Sequence, residues 1–509
     1  MSERTESKMS AYLIGITIVA TLGGLLFGYD TAVISGTVES LGKTFVDPRG
    51  LSAEVASSLQ GFLVSSALVG CIIGGFLGGP ISKGLGRKKG LLLAAVLFFI
   101  SALGSAYPEM FFASFGTGGV EFTTHFIIYR ILGGIGVGLA SMLSPMYIAE
   151  IGPSKIRGKL VSLQQLAIIL GAFTVSIVNY FIAQNGSDQW LNDIGWRYMF
   201  ASELIPASLF MILIFFIPES PRWLMSKSRE EQARTIITKI APLTVDMEIA
   251  EIKESMQAHQ SSKIFSFGKS VIVIGILLSI LQQFVGVNVV LYYAPEIFKS
   301  MGANTSDSLM QTILVNAIFL IFTVVAILCV DKFGRKPLLI IGSVIMGVSM
   351  IALGTSFYFD SMGLGSLILM LVYIAGFAMS WGPVVWVLLA EIFPNKIRGK
   401  AMALAVAAQW LANLTVSWTF PMMSNEGTFL AETFNNGFAY WLYGVISIIS
   451  VIFVMKLVPE TKGLTLEEME NIWDKDSHIG DTSPSVSAGV NTSKDEDDDD
   501  DFGITEPSP

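Results

Sequence analysis

The stretch Ala149-Glu150-Ile151-Gly152-Pro153-Ser154-Lys155-Ile156-Arg157-Gly158-Lys159 returns later as Ala390-Glu391-Ile392-Phe393-Pro394-Asn395-Lys396-Ile397-Arg398-Gly399-Lys400. Nine of the eleven positions match, at an offset of 241. Two shorter pairs keep nearly the same spacing. Gly86-Arg87-Lys88 matches Gly334-Arg335-Lys336 at an offset of 248, and Pro218-Glu219-Ser220 matches Pro459-Glu460-Thr461 at 241. One half of this chain is therefore written twice.

Around these repeats the chain is strongly apolar. Hydrophobic residues make up 52% and charged residues 14%, against about 25% charged in an ordinary soluble chain. A helix that crosses a bilayer needs about 20 apolar residues. Twelve such runs are present. In the first half they lie near 11–36, 59–79, 90–107, 124–150, 161–184 and 198–217; in the second, near 269–295, 309–329, 337–357, 364–391, 401–424 and 438–457. Lipid cannot satisfy exposed backbone groups, so these runs predict helices. The expected fold is an all-α membrane protein with twelve transmembrane helices in two pseudo-symmetric six-helix bundles. The first bundle is expected at 1–217 and the second at 269–475. Residues 218–268 carry charges at helical spacing and read as a linker of short amphipathic helices. Residues 476–509 read as a disordered acidic tail. Two membrane halves with a site between them are the architecture of a secondary transporter.

The basic residues orient the chain. Four loops hold Lys83, Arg87, Lys88, Lys89, Lys155, Arg157, Lys159, Lys332, Arg335, Lys336, Lys396, Arg398 and Lys400, and the opposite side holds Lys43, Arg49, Arg197 and Lys299. This bias places both termini and the linker in the cytoplasm. The net charge of −9 is mostly that of residues 477–509, which carry nine acids and one base. The remaining body is near neutral, and no nucleic-acid partner is expected. Cys71 and Cys329 lie in apolar runs, and His125, His259 and His478 are scattered, so neither a metal nor another cofactor is expected. No Walker A motif and no Ser-His-Asp arrangement with supporting spacing points to an enzyme. The first apolar run is too long for a signal peptide and reads as a retained span.

A charge within a span costs about 2.5–3.5 kcal/mol at a helix centre. Asp30, Arg130 and Glu203 stand in the first, fourth and sixth runs, and the offset puts uncharged residues opposite them in the second half. Ionised Asp30 would attract Arg130, and protonation would remove the attraction and free the helices to move. A static ion pair is the other reading of the same residues. Glu203 is the more peripheral of the three.

The second half carries neutral amides instead. Gln282, Gln283 and Asn288 surround Gly286 in the seventh run, with Tyr292 and Tyr293 one turn on; Gln409, Trp410 and Asn413 lie in the eleventh. Trp381-Gly382-Pro383 and Trp386 lie in the tenth, where Gly-Pro should kink or break the helix. Gln164 and Gln165 lie in the fifth. Amides donate and accept at once, as hydroxyl groups do. Indole faces suit the C–H face of a sugar ring. Any single amide could equally be glue between helices, at about 0.6 kcal/mol. The set as a whole favours a pocket for a neutral polyol. The duplicated loops read as a gate: Arg87, Glu150, Arg157, Glu219, Arg335, Glu391, Arg398 and Glu460 lie on one face, where ion pairs between the halves would hold the inside closed while the outside is open.

At these residues the chain resembles the sugar porter family of the major facilitator superfamily, over about 11–475. The resemblance rests on Gly-Arg-Lys-Lys at 86–89, Asp-Lys-Phe-Gly-Arg-Lys at 331–336, Pro-Glu-Ser-Pro-Arg-Trp-Leu at 218–224, Gln-Gln-Phe-Val-Gly-Val-Asn at 282–288 and Pro-Glu-Thr-Lys-Gly at 459–463. It implies alternating access, with sugar contacts at Gln165, Gln282, Gln283, Asn288, Trp386 and Gln409, and with Phe27, Tyr292 and Trp410 lining the pocket. It implies proton coupling through Asp30 and Arg130 with Glu203, hence symport of a monosaccharide, D-xylose first, by a monomer in the plasma (inner) membrane. A proton-independent facilitator and a non-transporting sugar sensor are the alternatives. Three positions depart from the family pattern. Lys83 and Gly84 replace an acid and a base in the first-half loop, and Ala172 stands where pentose-type members have a second glutamine.

Overall fold

The computed structural model describes residues 11–153, 156–240, 242, 244–257, 264–265, 267–394 and 397–462. The acidic stretch 476–509 lies outside them. Twelve helices are long and apolar enough to cross a membrane. They are α1 (Ala11–Gly36), α2 (Ala53–Leu85), α3 (Arg87–Ala106), α4 (Val120–Ile151), α5 (Leu160–Ala183) and α6 (Asp188–Phe216). The second half follows with α7 (Ser270–Tyr292), α8 (Thr305–Val330), α9 (Arg335–Tyr358), α10 (Leu364–Ile392), α11 (Arg398–Ser424) and α12 (Phe438–Leu457). Each apolar run of the sequence lies on one of them.

The duplicated loops set helix boundaries in both halves. The helices before Gly86 and Gly334 stop at backbone φ of 92° and 91°, and α3 and α9 start at the arginine that follows. Three spans are broken where the sequence interrupts the hydrogen-bond ladder. In α6 the break falls at Glu203, between Trp196–Ser202 and Leu204–Leu213. In α7 it falls between Ser270–Phe284 and Val287–Tyr292, at Gly286, whose φ of 94° a side chain would disfavour. In α10 it falls at Ser380, between Leu364–Met379 and Trp381–Ile392. The expected break at Gly382-Pro383 is thus displaced toward the N-terminus. The ring of Pro383 would clash with the carbonyl four residues back, at Met379, whereas in the first turn of a new helix its missing N–H costs nothing.

Packing repeats with the sequence. In the first half α2 packs on α4, α1 on α5 and α3 on α6; in the second, α8 on α10, α7 on α11 and α9 on α12. Small residues allow the closest approaches, as in other membrane bundles. A methyl on Gly134 of α4 would lie 1.8 Å from the Ala67 carbonyl oxygen of α2, and one on Gly28 of α1 would lie 1.7 Å from that of Ile168 on α5. Between the halves, α2 packs on α11 and α5 on α8. These contacts tighten at the end remote from the basic loops, called the far end below. There Asn425 Nδ2 donates to Gln60 Oε1 at 2.7 Å, Trp418 Nε1 to the Ser58 carbonyl at 2.9 Å and Gln184 Nε2 to Ser306 Oγ at 2.7 Å. Between the halves in sequence, the helices Pro221–Ser226, Glu230–Ile240 and Val245–Gln257 share a small core of Leu224, Met225, Ala233, Ile237 and Ile249.

Arg197 was counted among the far-side loop bases, but it sits buried on α6. It donates to Glu109 at 2.8 Å and to the carbonyls of Ala106 and Gly118, with its guanidinium 4.6 Å from the Trp196 ring. Glu109 in turn accepts from the Gly116 N–H at 2.7 Å. The pair fastens the loop between α3 and α4 to α6.

Candidate functional site

Asp30 on α1 and Arg130 on α4 are buried to 1% exposure or less and meet at 2.8 Å, Nη1 to Oδ1. Nη2 also reaches the Asp30 carbonyl at 3.3 Å, and the guanidinium faces the Phe200 ring of α6 at 5.3 Å. The pair is incompletely satisfied. Asp30 Oδ2 and Arg130 Nε have no hydrogen-bond partner among the described residues. Glu203 lies fully buried at the break in α6, within interacting distance of both charges and in reach of the Asp30 carboxyl. The three ionisable groups therefore form one buried cluster. Ser101 of α3, which the sequence did not single out, is buried beside it, and a methyl on Gly133 would touch both its hydroxyl and Asp30. An isolated serine in an apolar run gives no pattern to detect.

The amides of the second half gather at the two helix breaks. Gln282 donates to the carbonyls of Trp381 and Gly382, at 2.8 and 3.3 Å, next to the interruption in α10. Its Oε1 accepts from Gln283 at 3.3 Å, and Gln283 Oε1 accepts from Asn288. The chain Trp381–Gln282–Gln283–Asn288 thus joins both discontinuities, and broken helices in transporters present polar groups to a substrate in this way. Tyr292 lies 3.5 Å from Asn413 Nδ2 on α11. Across the halves, the rings of Phe27 and Trp410 stand 5.7 Å apart. Gln409 is half-buried, with Oε1 buried and unpartnered. Gln165 is half-buried on α5, and Trp386, 38% exposed, is the most open of the set. The adjacent Gln164 instead points into protein, against Gly24 of α1, with both amide atoms unpartnered.

At the basic end each half holds ion pairs of its own. Arg87 grips Glu150 with two bonds, at 2.6 and 2.7 Å, and Arg335 grips Glu391 with two, at 2.8 and 3.2 Å. Glu219 accepts from the backbone N–H groups of Arg87 and Lys88, and Glu460 from those of Arg335 and Lys336. Ser220 and Thr461 donate to Glu150 and Glu391. Each of these pairs stays within its own half, and pairing across the halves is expected only while the basic end is closed. The reason is local. Each glutamate caps the positive N-terminus of a helix in its own half, and that places the first arginine of the helix beside the end of the neighbouring span. Arg398 Nε donates to the Phe393 carbonyl at 3.1 Å. The Arg157 side chain lies outside what is described.

Comparison with known proteins gives this arrangement its relatives. The family model described as "Sugar (and other) transporter" matches residues 16–473. The chain is 59% identical over 477 residues to the D-xylose-proton symporter of Escherichia coli K12, covering 92% of this chain and 97% of that one. It is 42% identical to the glucose facilitated diffusion protein of Zymomonas mobilis, covering 90% and 97%. Among solved structures it is similar to the inward open conformation of the xylose transporter XylE from E. coli, with a TM-score of 0.82 at 58% identity, over 91% of this chain and all of that one.

Proposed function

The chain belongs to the sugar porter family of the major facilitator superfamily, and from that premise we propose that it imports a monosaccharide, D-xylose first, together with a proton. The observation that carries this reading is the buried Asp30–Arg130 pair with Glu203 beside it. A carrier that moved sugar alone would gain nothing from desolvated charges, and each adds a cost on insertion.

The physical sequence follows from the contacts. Ionised Asp30 on α1 holds Arg130 on α4, and the two helices stay locked. Protonation of Asp30 removes that attraction and leaves Arg130 with the nearby carboxyl of Glu203 as its alternative partner. Breaking a buried pair one-sidedly typically costs about 3–5 kcal/mol, enough to make helix movement conditional on the proton. Sugar would bind between the halves. Gln165, Gln282, Gln283, Asn288 and Gln409 would exchange hydrogen bonds with its hydroxyls, and Trp386 and Trp410, with Phe27 and Tyr292, would cover its apolar face. Ala172, buried against α1, offers a methyl where an amide would narrow the pocket. The clamps Arg87–Glu150–Glu219 and Arg335–Glu391–Glu460 would keep each bundle rigid at the basic end, with Arg157 and Arg398 at the starts of the helices that follow. The two bundles, 1–217 and 269–475, would then move as bodies about the sugar. With the basic end in the cytoplasm of the inner membrane, the far end is outside. Closure there, with the likeness to an inward-open structure, supports an inward-facing arrangement. The carrier acts as a monomer and makes no covalent change to its substrate.

The test is the external pH of a lightly buffered suspension of de-energised cells expressing the protein, after a pulse of D-xylose. Alkalinisation on xylose, and none on an unrelated sugar alcohol, is expected. Entry of labelled xylose with no pH change would replace the symporter by a facilitator.

A further inference from the structure

The far end is closed by more than packing. Directly after α1 the short helix Val38–Leu41 carries Glu39, and directly after α7 the helix Ala294–Ser300 carries Lys299. These segments are counterparts in the two halves. Lys299 Nζ binds the Glu39 carboxylate across the interface between the halves. Glu39 is held on its own side by Lys43, and Asn192 Nδ2 stands 3.5 Å from it. Glu296, one turn before Lys299, faces the same small cavity as Ser35, Glu39, Asn192, Lys299 and Ser308. Its volume of about 10 Å³ is close to the least that admits one water. The pair is better sheltered than the linker pairs. Lys299 and Glu39 are 23% and 33% exposed, against 52% and 44% for Lys253 and Glu230.

On the carrier reading above, we propose that Glu39 and Lys299 form an ionic latch that holds the far end shut and sets which way the unloaded carrier faces. The two ion pairs of the basic end cannot do this, since each lies within one half. A latch of this kind is separate from proton coupling. Burial pushes the Glu39 carboxyl up, but the ammonium groups of Lys299 and Lys43 outweigh it and bring it down to about 2, so it stays charged throughout the working range. Glu296, the other acid facing the pair, is raised, by burial first. Partly exposed pairs are individually weak. In a carrier whose two orientations are near balance, however, a change of about two- to fivefold in their ratio is large.

The experiment measures the spread of the far end. Spin labels go on Ser114→Cys in the α3–α4 loop and Ser361→Cys in the α9–α10 loop, both exposed, in full-length protein with Cys71 and Cys329 replaced by serine. Glu39→Gln and Lys299→Met should each raise the long-distance population about two- to fivefold. The swap Glu39→Lys with Lys299→Glu, made together with Lys43→Gln and Glu296→Gln so that neither moved charge meets a like one, should return it toward the parent. Unchanged distances in both single variants would overturn the latch, and so would a swap that stays as open as the singles. Exchange of labelled xylose in proteoliposomes is measured on the same samples. Its absence in the parent would sink the carrier reading, while the distances would still decide the latch.

Discussion

The two halves share a skeleton and differ in their cores. At the basic end the networks superpose residue for residue: Arg87, Glu150, Glu219 and Ser220 make the bonds that Arg335, Glu391, Glu460 and Thr461 make. In the membrane the first half buries Asp30, Arg130 and Glu203, and the second buries Gln282, Gln283 and Asn413. Duplication kept what holds a bundle together and let the chemistry diverge. The charged groups buried in the membrane lie in one half. Amides, which recognise hydroxyls without fixed charge, are concentrated in the other.

Asp30→Asn is the largest test of that division, because it makes the first half as uncharged at this point as the second. Accumulation of sugar against a gradient should be abolished, while binding and sugar-for-sugar exchange persist. Uptake into energised vesicles beside counterflow measures both. Loss of binding in this variant would mean that the halves are not separable in function.

Gln409→Ala strikes the other side. Gln409 Oε1 is buried without a partner, so it is available to a hydroxyl, and a net hydrogen bond is worth about 0.5–1.5 kcal/mol. KM for xylose should rise about 2- to 10-fold, with the pH profile of uptake unchanged. A shifted pH profile would tie the amides to the proton and undo the comparison. Gln282→Ala should cost more, because Gln282 also holds the carbonyls freed at the break in α10.

The fold was more legible in the sequence than the site was. Twelve apolar runs and three repeated motifs are one-dimensional signals, and they survive folding because lipid leaves the backbone little choice but helix. Asp30, Arg130 and Glu203 were legible for the same reason, since a charge in such a run stands out. Partners were not. The repeats identify Arg87 and Glu150 as important, but nothing in their spacing says whether the arginine turns to its own half or the other. The Glu109–Arg197 pair escaped because Glu109 lies in a loop with no periodicity. Pro206 and Pro383 each follow a break by three residues, at Glu203 and Ser380, and so announce it a few residues late, while the break at Gly286 rests on a glycine whose positive φ no apolar pattern reveals. Gln164 and Gln165 look alike in sequence. Helix phase alone buries the first and leaves the second half-exposed.

The repeated clamps give a finer comparison. Glu150 is 9% exposed and Glu391 26%. Removing the arginine leaves a carboxylate unpaired, at a cost that rises with burial. Arg87→Ala should therefore lower thermal stability in detergent, by about 1–3 kcal/mol, and Arg335→Ala by less. Equal losses would show that backbone capping by Glu219 and Glu460, rather than the guanidinium pair, carries each clamp.

Glu460 offers the smallest and most specific effect. Partial burial pushes its carboxyl up, but the N–H groups of Lys462, Arg335, Lys336 and Thr461 outweigh this and leave it below its ordinary 4.5. A carboxyl lowered by folding contributes stability at pH above its ordinary value, and that contribution fades as pH falls through the lowered one. Glu460→Gln should therefore be less stable than the parent at pH 7, and the difference should narrow as the pH drops below about 4.5. Paired melting curves across that range read it directly. A gap independent of pH would mean that the side chain acts by shape alone and that the second clamp owes nothing to charge.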